Sequence, residues 1–535
     1  MKKYPFIICS LALALSACFD DKGNYDYEEI TELNIENIPE LIEVLGNSDQ
    51  IVVTPKITSP VEGEILDGNP NYEFTYKLEK KTGGTLQQGQ QWVKINQNNS
   101  LNVDTIAAFP AGTYIVWFSA KDLRTGIEAT KTFDIKVTSP TYEGWMVLCN
   151  EGKEERVRLD MISAISATRI VPAYDLMPSL GLPEVKHATG VGFYPNVYAS
   201  GDVIYLMSEE GTFKINQNTF QTNKSWNINL VDFIIPPTEG SVVEYKTLNG
   251  GSMYGGLANF CITNAGDAFV QVLGNSGAAF EKPINTSIRG GKPEYKVAPY
   301  VGISMARPGN GASALFYDTD NKRFVGWRDK GNSNAKQTLT PLTDPENPKF
   351  SFNTGMELVY MESTRYSGGL VYSILQNKAG KRVIYGINMA GNGFSQESLY
   401  ENLNAPDFDK ATAFAFHSKF PYMFYAVKNK VYLHNLGTNT TYPMDEIKLG
   451  STEEVTMLKF NLYQQTSLDF LNNQTDEFME RQYELMVGSY DNASKDDNGG
   501  KLGFYPVNGI NNSISKRTEF NGFAKIKDVV YRERR

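Results

Sequence analysis

The chain has 535 residues, a length that points to more than one domain. Hydrophobic residues make up 41% of it, enough apolar surface to build real cores. A net charge of −10 argues against nucleic acid, whose phosphates call for a basic face.

The first element is a targeting segment. Lys2 and Lys3 form a short positive region, and Phe6 to Leu15 an apolar run too short to span a bilayer. Small residues then lead to Cys18. The end of the segment, Leu15-Ser16-Ala17-Cys18, resembles the lipobox of bacterial lipoproteins. That resemblance implies residues 1–17 as a cleaved signal peptide and an acylated Cys18 heading a tether over residues 18–24. An ordinary secretory signal with a chance cysteine is the plainer alternative. The acidic turn Phe19-Asp20-Asp21-Lys22-Gly23 is similar to the cluster just after the lipidated cysteine in surface lipoproteins of Bacteroidota. It therefore implies an outer-membrane, surface-exposed address.

Residues 25–140 read as one β-sandwich. Strands are predicted at Ile51 to Ile57, Tyr72 to Leu78, Gly112 to Asp122 and Ala129 to Val137, each bounded by turn signals. The stretch Gly112-Thr-Tyr-Ile-Val-Trp-Phe-Ser-Ala-Lys-Asp122 resembles the GxYxVxxxxxD strand of polycystic-kidney-disease (PKD) repeats. The opening Asp20 to Tyr27 and the junction Tyr142-Glu-Gly-Trp-Met-Val-Leu148 look like those of PKD-like lipoproteins of Bacteroidota.

Residues 141–535 change pattern. Apolar runs begin at Gly144, Val203, Phe260, Ala312, Leu370, Met423 and Glu484, about 50 to 60 residues apart, each leading to a polar turn and an aromatic strand. This suits the four-stranded blades of a β-propeller of about seven blades. The segment Phe523 to Tyr531 is expected to complete the sheet that Gly144 to Cys149 starts. The expected fold is thus all-β, an immunoglobulin/PKD-like sandwich and then the propeller. A stack of sandwiches is the alternative. One short helix is expected between Leu468 and Arg481.

Chemistry is sparse. Gly309-Asn-Gly-Ala-Ser-Ala314 mimics a dinucleotide loop, but a strand stands where a helix is needed, so it reads as a turn. Gly302-Ile-Ser304-Met-Ala306 mimics a nucleophile elbow without its helix. Asp491 to Gly500 is oxygen-rich, yet Lys495 sits inside it and no Glu closes it, so it reads as a hairpin loop rather than a calcium loop. Asp318-Thr-Asp320 reads as a tight turn. His187, His417 and His434 are widely separated, and no Cys or His pair has metal-ligand spacing. Cys149 and Cys261 read as small core residues, with one bridge left open. No catalytic residue, cofactor or metal is assigned. A glycosidase-type carboxylate pair stays open, since no local motif nominates one.

Exposed tryptophans are the remaining ligand-binding candidates: Trp92, Trp226 and Trp327, each with core packing as its alternative. Trp117 and Trp145, inside strands, read as core. The family resemblance implies a non-enzymatic accessory protein, anchored in the membrane by its lipid. Its partners would be a TonB-dependent transporter and a substrate-binding lipoprotein, and its cargo glycan or peptide. A propeller hydrolase or lyase acting on polymers, marked by acids or a His near the central axis, is the alternative. A scaffold without a ligand is the third.

Overall fold

The computed structural model describes residues 32–533, apart from 47, 83–84, 87–92, 96–98, 167, 183, 195–202, 218, 238–239, 249–257, 273–278, 289, 304–312, 329–337, 390–392 and 464–473. It is all-β. The chain divides into two compact units, Met1–Thr138 and Ser139–Arg535.

The first unit is built around two long strands, Tyr72–Thr82 and Gly112–Asp122, paired antiparallel. Glu128–Thr138 pairs with the second of these, and Leu41–Leu45 adds to its far edge in parallel. Alternation works as period two requires. Val116, Phe118 and Ala120 point into the core beside Phe74 and Tyr76, whose hydroxyl donates to the Leu101 carbonyl at 2.7 Å. Trp117 lies on the other face and is only half-buried, which corrects its reading as core. The expected strand Ile51 to Ile57 is two strands broken at Pro55. Gln50–Val53 pairs with Val103–Ile106, while Lys56–Ser59 joins a separate three-stranded sheet. Proline offers no amide to a ladder, so the chain changes sheet there. A fragment of residues 20–139 is expected to fold alone as a β-rich domain. A collapsed amide spectrum from that fragment would contradict the division.

Among the described residues the second unit contains a two-stranded ribbon of Val507–Asn508 with Ser513–Ile514, and seven successive antiparallel sheets of three or four strands. Their second strands are Gly144–Glu151, Val203–Ser208, Ala258–Thr263, Ser313–Asp318, Leu370–Gln376, Tyr422–Val427 and Leu485–Asp491. These are the seven apolar runs read from the sequence, and burial on both faces explains their unbroken hydrophobicity. They are not the starts of their sheets. In six of them a first strand precedes: Ala188–Tyr194, Val242–Leu248, Gly302–Ile303, Glu357–Ser363, Ala413–Phe416 and Glu453–Lys459.

The first sheet takes its corresponding strand from the far end of the chain. Lys525–Arg532 pairs antiparallel with Gly144–Glu151. Tyr531 packs its ring 4.8 Å from Trp145 and 4.6 Å from Tyr463, and its hydroxyl donates to Glu143 at 2.8 Å. Gly144 must be glycine, because at φ 140° a Cβ would collide with the Ile162 carbonyl. Of the segment Leu468 to Arg481, where one short helix is expected, the described part holds the helical turn Asp476–Glu480, capped by the Thr475 side chain.

Candidate functional site

Five of the leading strands share one irregularity. Each carries a one-residue bulge against its neighbour: at Thr189, Val243, Val359, Thr456 and Lys527. A bulge adds a residue, bends the strand and re-aims the side chains beyond it. The residues directly after the bulges are Gly190, Glu244, Tyr360, Met457 and Asp528. Two residues further on, on the same face, come Lys246, Glu362 and Lys459.

Glu244, Lys246, Glu362, Lys459 and Asp528 form one mixed-charge cluster with Tyr194, Tyr300 and Tyr360. Asp528 accepts the ammonium of Lys459 at 2.6 Å and the amides of Val191 at 3.0 Å and Val529 at 2.9 Å. It therefore joins the seventh, first and second sheets. Gly190 leaves the room, since a Cβ there would sit 3.5 Å from the Asp528 carboxylate and 3.2 Å from the Met207 methyl. Tyr194 donates to the Tyr245 carbonyl, joining the second sheet to the third. Glu362 accepts the Phe416 amide at 2.8 Å and the Tyr360 hydroxyl at 3.1 Å, joining the fifth sheet to the sixth. Ile303 donates its amide to Ser363 at 2.9 Å, joining the fourth to the fifth.

Glu244 differs from the other two acids. Among the described residues its carboxylate has no hydrogen-bond or ion-pair partner, and neither has the Lys246 ammonium. Glu244 instead feels Lys246, Asp528 and Lys459 through space. Burial dominates its electrostatics and pushes its carboxyl up to about 7. Burial likewise pushes Glu362 up to about 7, with the Phe416 amide and the Tyr360 hydroxyl working against the rise. Tyr194, Tyr300 and Tyr360 are all raised, first by burial and then by these carboxylates.

The histidines lie elsewhere and are structural. His417 stacks on Phe420 at 4.8 Å, accepts the amides of Lys419 and Phe420 through Nδ1 and donates through Nε2 to the Tyr483 carbonyl. Burial lowers it to about 4, as it does His434, which is bonded to Thr441. His187 is half-buried and pairs with Glu155. Among the described residues no group of three His, Cys, Asp or Glu is placed to hold a metal ion, and no helix is long and apolar enough to cross a membrane. Cys149 and Cys261 are buried free thiols in the first and third sheets.

The tryptophans separate. Trp327 is 1% exposed and packs edge-on against Phe260 at 5.2 Å, so it offers no face to a ligand and its core alternative holds. Trp226 ends a short turn capped by Asn223 and is half-buried. Trp92 and Cys18 lie outside the described residues, as do Ser304 and the turn at Gly309. Asp318 is the expected turn residue, bonded to Asn321 and Arg323 across a hairpin. The loop from Asp491 is likewise a hairpin, closed on itself through Asp491 and Asp496.

None of the clustered side chains was nominated from the sequence. The available signal was charges set among the apolar residues of strands, as in Val242-Val-Glu-Tyr-Lys246 and Lys525-Ile-Lys-Asp528-Val-Val530.

Comparison with known proteins bears on the N-terminal part. Residues 18–177 match the model of the PKD-like family. The match runs beyond the first unit, through the strands of the first sheet that precede Met177. No curated protein matches the chain. Among solved structures, a quinonprotein alcohol dehydrogenase-like protein from Bacteroides thetaiotaomicron is 11% identical with a TM-score of 0.40, covering 94% of this chain and 99% of its own. A Lactobacillus plantarum protein is 11% identical at a TM-score of 0.43, over 73% of this chain and 100% of its own. A DUF4784 family protein from Bacteroides caccae is 9% identical at 0.28, over 93% and 98%.

Proposed function

We propose that the chain is a lipid-anchored outer-membrane surface protein that binds its ligand without turning it over. Cys18 carries the anchor. The C-terminal unit is a seven-bladed β-propeller in which Lys525–Arg532 serves as the innermost strand of the first blade. The bulged leading strands then line its axis. The protein acts as an accessory component of a TonB-dependent uptake system for glycan or peptide.

The observation that carries the binding reading is how two of the three axial acids are bonded. Asp528 and Glu362 are committed to a lysine, a tyrosine and backbone amides, which hold strands together and leave neither as a free nucleophile. His417 is bonded to its own turn and to the Tyr483 carbonyl, and His434 to Thr441 on the neighbouring strand. A polymer hydrolase is the second reading. It is favoured by Glu244 and Glu362, whose carboxyls reach about 7, the range suited to a general acid.

Two experiments test the proposal. Cys18→Ser should abolish processing by the lipoprotein peptidase and labelling by radioactive palmitate; equal labelling of mutant and parent would refute the anchor. The soluble 20–535 chain, incubated for hours with pooled glycans and peptides, should release no products. Steady release abolished by Glu244→Gln or Glu362→Gln would establish the hydrolase instead.

A further inference from the structure

We infer that Glu244 and Lys246 form a binding site for the charged end of a dipolar ligand, one bearing an ammonium and a carboxylate as free amino acids and short peptides do. The inference rests on the binding reading above and narrows its ligand.

The geometry is that of one strand face. Past the bulge at Val243, Glu244 pairs with Ile262 and Lys246 with Phe260, so the register is regular between them. Residues i and i+2 of such a strand share a face at about 7 Å. One face therefore presents an anion and a cation at a separation that an ammonium and a carboxylate, a few bonds apart, can bridge. Both residues are half-buried.

Neither charge is used to hold the fold. Each other charge in the cluster has a bonded partner: Asp528 with Lys459, and Glu362 with Tyr360 and the Phe416 amide. An enclosed carboxylate lacking donors is destabilising, and a ligand ammonium supplies both donors and opposite charge. Lys246 offers three donors with no acceptor among the described residues, which suits a ligand carboxylate. A neutral sugar would satisfy neither charge fully. The surrounding set of Asp528, Lys459, Glu362, Tyr194, Tyr300 and Tyr360 is near charge balance, so it favours a dipolar guest over a plain cation or anion.

Calorimetry on the soluble 20–535 chain tests this, with glycylglycine and L-alanine as probes and N-acetyl-L-alaninamide, which carries neither charge, as control. At least one zwitterion should give a saturable signal, and the control none. Glu244→Gln and Lys246→Met should each weaken binding about tenfold or more. The double exchange Glu244→Lys with Lys246→Glu should recover part of it, because the guest can reverse. No saturable signal up to about 10 mM of either zwitterion, or equal affinity in parent and both single variants, would overturn the inference. Capture of a membrane partner is measured separately. Its failure counts against the parent reading, and a silent calorimeter counts against this one.

Discussion

Deleting residues 525–535 should prevent the second unit from folding. The strand Lys525–Arg532 buries Ile526, Val529 and Tyr531 against Trp145, Phe504 and Phe523. Each such side chain is worth roughly 1.5–3 kcal/mol, and a domain's whole stability is about 5–15 kcal/mol. The deletion also removes Asp528, which ties three sheets together, and bares the edge of Gly144–Glu151. A graded version is Tyr531→Ala, expected to cost about 3–5 kcal/mol by emptying the contact with Trp145 and Tyr463 and unpairing Glu143 from its hydroxyl. Near-ultraviolet circular dichroism and denaturant titration would read both. A truncated chain with the parent's melting transition would show that the strand is dispensable.

Glu244→Gln should stabilise the protein at pH 8 and leave it almost unchanged at pH 4. The folded chain holds the Glu244 proton up to about 7, whereas an unfolded glutamate releases it near its ordinary 4.5. Between those values the folded state binds more protons, so stability falls as pH rises through that window. Above it the penalty is constant, on the order of 2 kcal/mol once partial solvent access is allowed for. Glutamine has the same shape without the charge and removes that penalty. Glu362→Gln should gain less, because it disturbs the bonds from Phe416 and Tyr360. The check is the melting midpoint of parent and variant across pH 4 to 8. A variant less stable than its parent at pH 8 would mean that Glu244 is paired when charged.

Strands buried on both faces leave an unbroken apolar signature in the sequence. Val203–Ser208 and its six counterparts stand out for that reason, and the repeat can be counted. The return of the last strand to the Gly144 strand was also legible, as the segment Phe523 to Tyr531 expected to complete the sheet that Gly144 starts. The leading strands were not. Val242–Leu248 and Glu357–Ser363 are half-polar with a bulge that breaks their period of two, and Gly302–Ile303 and Ala413–Phe416 are too short to show one. Glu244, Glu362, Lys459 and Asp528 stand in four strands spread over nearly 300 residues, and only the packing of successive sheets brings them together. The tryptophans were conspicuous in sequence for a size that Trp327 uses in core packing. Likewise Pro55, which looks like a strand residue between Val53 and Ile57, is where the chain changes sheet.

The proposed role, an accessory binding subunit at the outer membrane, is tested most directly by purification in mild detergent. The tagged, full-length chain would be drawn from outer membranes and the proteins that travel with it identified. The expected result is a TonB-dependent barrel in stoichiometric amount, lost when Cys18→Ser releases the chain from the membrane. Recovery of the chain alone from the native membrane, with no transporter at any detergent strength, would contradict that role.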